Sequence, residues 1–99
     1  MRDPEIMSQV KEVLAKISNL APGHAVELRI PPYSAIQCVE GPKHTRGTPP
    51  NVVEMSAEVL FDISGGKINW QEAISDGRIS ASGERSDLSP LFQQLANAE

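Results

Sequence analysis

An α+β fold is the class this sequence predicts, and three observations carry it. Apolar residues repeat at helical spacing near the start of the chain, at a spacing of two from Val26, and at helical spacing again after Ser56. Glycine, proline and capping residues punctuate the changes of period. No regular β-α-β alternation appears, which argues against a doubly wound sheet.

The first helix is read from Asp3 to Leu20. Asp3 is suited to cap the first turn, Pro4 sits where a missing N–H costs nothing, and Ile6, Val10, Val13, Leu14, Ile17 and Leu20 share one face. Pro22-Gly23 ends it. Val26, Leu28 and Ile30 then alternate with Glu27 and Arg29 as a half-buried strand closed by Pro31-Pro32. The stretch Tyr33 to Glu40 reads as an antiparallel neighbour, and because both of its faces carry apolar residues it is expected to be central. Gly41 to Pro50, GPKHTRGTPP, has no apolar periodicity and reads as a surface loop, and Asn51 to Met55 is a third strand.

Ser56 caps a short helix through Ile63, with Val59, Leu60 and Ile63 inward, and Gly65-Gly66 closes it. Asn69 and Glu72 form a capping-box pattern for the next helix, in which Trp70, Ala73 and Ile74 face the core, and Gly77 ends it. Arg78 to Ser82 is the last strand. The last helix starts at Ser86 or Asp87, carries Leu88, Leu91, Phe92 and Leu95 at helical spacing, and holds Pro90 in its first turn. The order is α-β-β-β-α-α-β-α over one domain, residues 1–99.

Composition narrows the function. The 99 residues suffice for one hydrophobic core, and with aromatics at 4% that core rests on Val, Ile and Leu, so any internal void competes with stability. A net charge of -4 argues against a general nucleic-acid binder. Cys38 is the only cysteine, the opening lacks the apolar run of a signal peptide, and no stretch is long and apolar enough to span a bilayer, so the expected location is cytoplasmic.

From Glu54 onward the chain shows a capped short helix, Gly65-Gly66, Trp70 and Ala73 in a second short helix, Gly77, and then ISASGERSDL before an apolar helix. This succession resembles the tail of sterol carrier protein-like domains, and the string from Glu27 to Glu54 is similar to the actinobacterial branch of sterol carrier family proteins. The resemblance implies a mixed sheet of about four to five strands covered by helices, with an apolar tunnel between sheet and C-terminal helix that in relatives holds acyl or sterol-like ligands. Where the branch usually has a tryptophan in the first short helix, this chain has Leu60 and Phe61, leaving Trp70 as the only indole.

Two sets of candidate site residues follow. Lys43, His44, Thr45 and Arg46, flanked by glycines and followed by Asn51, form a cationic set able to hold a phosphate or carboxylate; a solvated loop paired with Glu40 and Glu54 would look the same. Leu88, Leu91, Phe92 and Leu95, with Ile36, Leu60 and Trp70, are the candidate apolar lining, and ordinary core packing produces the same spacing. A nucleophile built from Cys38 and His44 is disfavoured because a lone strand cysteine is usually a small buried hydrophobe. No metal-ligand spacing and no catalytic constellation appear, and no cofactor is implied. The sequence therefore predicts a noncatalytic module of sterol carrier type for an apolar or acyl small molecule. The alternative is a protein-interaction or anion-binding module acting through the 41–50 loop, with no lipid cavity.

Overall fold

The computed structural model describes residues 3–41 and 51–97. Helix α1 (Pro4–Leu20) begins as its cap predicts, with the Asp3 carboxylate accepting from the amides of Glu5 at 2.9 Å and Ile6 at 3.3 Å. Its inward stripe is Val10, Leu14 and Ile17, while Leu20 at its C-terminal end remains 37% exposed. Strands β1 (Val26–Ile30), β2 (Ser34–Cys38) and β3 (Asn51–Met55) follow, then α2 (Ala57–Ser64), α3 (Trp70–Ser75), β4 (Ile79–Ser82) and α4 (Ser89–Asn97).

The sheet is mixed, in the order β2-β1-β3-β4. Antiparallel pairing joins β1 to β2 and β3 to β4, and β1 runs parallel to β3. The central strands are therefore β1 and β3. β2 is an end strand among the described residues, which corrects the expectation that it is central. Its sequence is apolar on both sides because the strand stops at Cys38: Val39 turns out of the ladder with φ 70°, donates to Ala21 O at 2.8 Å and accepts from Ala25 N at 3.0 Å. Gly23 makes that approach possible, since a Cβ there would lie 2.2 Å from Val39 O.

One sheet face carries the core. Val26, Leu28 and Ile30 from β1 lie beside Val53 and Met55 from β3, under Val10, Leu14 and Ile17 of α1, Leu60 and Ile63 of α2 and Phe92 of α4. By strand alternation the opposite face presents Glu27, Arg29 and Glu54, with Glu27 and Arg29 ion-paired. Such a half-covered sheet explains the clean alternation in β1.

Caps delimit the later helices. Ser56 Oγ accepts from Val59 N, Asn69 Oδ1 from Glu72 N and the Asp87 carboxylate from Ser89 N, the last placing the start of α4 slightly later than its sequence pattern suggests. Hydrogen bonds from Ser89 hold the Asp87 carboxyl below the usual carboxylate range.

Candidate functional site

A cleft of about 420 Å³ opens where the α2–α3 connection meets α4. Local sequence builds each wall. Gly66 takes the left-handed conformation at φ 75° and brings the chain against α4, so that a Cβ there would lie 3.4 Å from Ala96 Cβ. Asn69 then caps α3 and sets Trp70 as its first residue. The Trp70 indole lies over Phe92 with ring centroids 5.9 Å apart and planes 24° from parallel. This stacked pair, with Ile63 and Ile68, supplies the apolar floor, and Phe92, Gln93, Ala96 and Asn97 share the α4 side at helical spacing.

The described lining carries no ionisable side chain; its polar groups are amides and a hydroxyl, among them Asn69, Gln71, Ser89 and Gln93. Charge begins next door. A polar recess of about 380 Å³ shares Gly66, Ile68 and Asn69 with the cleft and adds Lys67, Glu72 and Arg78. Arg78 Nε donates to both Asp76 oxygens, at 2.9 and 2.8 Å, and this hydrogen bonding holds the Asp76 carboxyl below the usual range. A third hollow of about 290 Å³ lies among Val13, Phe61 and Leu95, with Lys16 at its side; there the Ser64 hydroxyl is buried without a hydrogen-bond partner among the described residues.

The apolar candidates divide accordingly. Trp70 and Phe92 form the cleft floor and Leu95 lines the third hollow, whereas Leu60, Leu88 and Leu91 are core residues and Ile36 is half-buried against the core from β2. Leu28 and Val53 of the sheet, Leu60 of α2 and Phe92 of α4, elements between which the resemblance implies a tunnel, belong to one core cluster and are each at most 2% exposed. Ile63, Gly66, Asn69 and Ala96 were not legible as lining residues. Ala96 falls four residues after Phe92 on the same stripe, which is the one local signal that could have found it.

Lys43, His44, Thr45 and Arg46 lie outside the described residues. Asn51 is 4% exposed; its Nδ2 donates to Ala25 O at 2.8 Å and its Oδ1 accepts from Arg85 N at 2.9 Å. Its amide thus braces backbone instead of facing a ligand. His24 Nδ1 is 2.8 Å from Gln37 Oε1, and among the described residues no group of three metal-ligating side chains gathers.

Cys38 is fully buried, and burial pushes its thiol from 9.0 up to about 11. A thiolate is therefore scarce at neutral pH. Because the folded value is raised, the linked stability is present below the unfolded value and is lost as pH rises from about 9 to about 11. At pH 8 the native protein is expected to resist alkylation by iodoacetamide and to react on unfolding in urea; rapid native labelling followed by mass spectrometry would contradict this placement.

Against known proteins, the model of the bacterial SCP ortholog family matches residues 2–93. Among solved structures, the chain resembles sterol carrier protein domain 2 of Helicoverpa armigera, with 19% identity, a TM-score of 0.59, and coverage of 97% of this chain and 94% of that one. Sterol carrier protein-2 of Aedes aegypti, solved as a complex with palmitate, shows 16% identity over 89% of this chain and 91% of that one, with a TM-score of 0.48. Palmitated SCP2L2 of Aedes aegypti shows 15% identity over 95% of both chains, with a TM-score of 0.49. No curated protein matches the chain at a significant level. The Helicoverpa armigera comparison and the order of elements agree on the sterol carrier protein-2 fold, and by the family match over residues 2–93 the chain belongs to the bacterial sterol carrier protein ortholog family.

Proposed function

We propose that this chain is a noncatalytic, cytoplasmic module that binds an apolar or acyl small molecule in the cleft between the α2–α3 connection and α4. The observation that carries the reading is the Trp70–Phe92 floor beneath a cleft of about 420 Å³. That volume falls at the low end of small-molecule sites, which span roughly 300–1,000 Å³. The apolar floor would take hydrocarbon, the amides and hydroxyl above it carry no charge to oppose this, and the shared Gly66–Asn69 rim would set a polar or anionic head beside Lys67. Family membership supports the same class of ligand, and the string from Glu27 to Glu54 supports an actinobacterial affiliation.

Trp70 is the only indole, so its emission reports on the cleft directly. Titration with a fluorescent acyl probe is expected to shift that emission, and native mass spectrometry of the chain mixed with extracted lipids should show a bound adduct. Ala96→Trp, which places a large ring across the opening, is expected to weaken binding by about tenfold or more while leaving the circular dichroism spectrum unchanged. A chain that stays empty and shows no change in Trp70 emission with acyl or sterol-like probes refutes the reading.

A further inference from the structure

β4 closes the described sheet on the side away from β2, and its residues Ser80, Ala81 and Ser82 are all exposed. An end strand of this kind presents unpaired backbone donors and acceptors, and it is usually blunted by Pro, Lys, a bulge or an inward charge. Ile79–Ser82 contains none of these. Apart from the buried Ile79 its side chains are small, and Ala81, which shares the helix-side face with Val53, remains open to solvent. Charges of opposite sign flank the strand, with Arg78 before it and Glu84 after it.

We infer that β4 is a self-association edge, through which two copies pair antiparallel with Ala81 opposite its counterpart and Arg78 of each copy opposite Glu84 of the other. Symmetry restricts the register. Opposed residues of an antiparallel ladder lie on the same face, so a twofold axis perpendicular to the sheet allows only pairings whose residue numbers differ by an even step. Two registers then centre on its inner residues, Ser80 and Ala81. Centring on Ser80 sets Arg78 opposite Ser82 and leaves Glu84 without a cation across the seam; centring on Ala81 sets Arg78 opposite Glu84 and is favoured. The second register also aligns Ser80 with Ser82, whose hydroxyls can bond across the seam, and sets Gly83 opposite Ile79. Ile79 is buried and α3 packs against β4, so a residue without a side chain is the one accommodated there. Glu84 lies just past the bend at Gly83, φ 103°, and the length of the arginine and glutamate side chains spans the offset.

Asp76 already accepts from Arg78 Nε, and a guanidinium has further N–H donors for a second carboxylate. Four residues, three of them small, bury less area than a stable dimer needs, so the association belongs to the weak, concentration-dependent class.

Sedimentation velocity over a concentration series up to about millimolar is expected to show the wild-type chain shifting from monomer towards dimer, less so in high salt. Arg78→Glu and Glu84→Arg each place like charges at both ends of the seam and should weaken self-association by about tenfold. Mixed one to one, the two variants meet with opposite charges at both ends, and association should return. Recovery on mixing is not expected of a merely structural effect. A wild-type chain that stays monomeric at every concentration, or variants whose mixture associates no better than either alone, overturns the inference. Should Arg78→Glu fail to fold beside Asp76, the wild-type concentration and salt series decides alone: salt-insensitive association or none at all counts against the seam.

Discussion

Phe92→Ala is expected to lower the free energy of unfolding by about 3–5 kcal/mol, the range for removing a buried aromatic side chain. A domain of this size has roughly 5–15 kcal/mol in total, so much of the stability goes with one ring. Phe92 is 2% exposed and performs two tasks: it joins α4 to the core and forms the lower half of the stacked pair under Trp70. Aromatics make up 4% of the chain, leaving little to refill the gap. Phe92→Leu keeps most of the volume and should cost about 1–1.5 kcal/mol. Urea melts of both variants check the claim, and a loss below about 1 kcal/mol for the alanine variant would mean that α4 does not pack as described. The same variant widens the cleft, so a long-chain probe should bind more weakly even at temperatures where the protein remains folded.

Asn51→Leu is expected to cost about 2–4 kcal/mol, although the side chain it introduces is apolar and of similar size. The loss comes from the partners, because Ala25 O and Arg85 N are both left without the amide that joins them and a stranded buried group costs about 1–3 kcal/mol. Asn51→Asp separates the two contacts. A carboxylate can still accept from Arg85 N but cannot donate to Ala25 O, and burial against that carbonyl raises its pKa above the usual value of about 4. Its protonated form restores the donor, so the penalty is expected to be smallest at acid pH and to grow as pH rises through the raised value. Thermal melts of Asn51→Asp against wild type across that range should converge at the acid end; parallel curves would show that the Ala25 bond contributes little.

The elements were legible because their signals are local. Asp3 and Pro4, Ser56, and Asn69 with Glu72 each mark a helix start through atoms within three residues, and the alternation in β1 records a sheet covered on one face. Pairing order was less accessible. β1 runs parallel to β3 and antiparallel to β2, and nothing within a strand encodes which neighbour it takes. Asn51 shows the same limit at the level of a site residue: at the end of a loop rich in cations it reads as a ligand group, yet its two partners lie 26 and 34 residues away. The apolar stripe of α4 was visible, but the division of that stripe between core and cleft depends on Gly66 and Trp70 arriving from another part of the chain.

The Asn51 brace also bears on how freely this fold can vary. Asn51 is tied to Ala25 and Arg85, and the position a Cβ would take on Gly41 lies 2.8 Å from Ala25 Cβ and 3.1 Å from Arg85 Nε. The two ends of the 42–50 stretch are thus moored to the same pair of residues, whatever the stretch between them contains. Closing a loop whose ends are already held together costs only about 0.6 kcal/mol more for each doubling of its length. Insertions and replacements between Gly41 and Asn51 are accordingly cheap for the sheet, and this stretch can be exchanged like a cassette while the strands on either side of it keep their places.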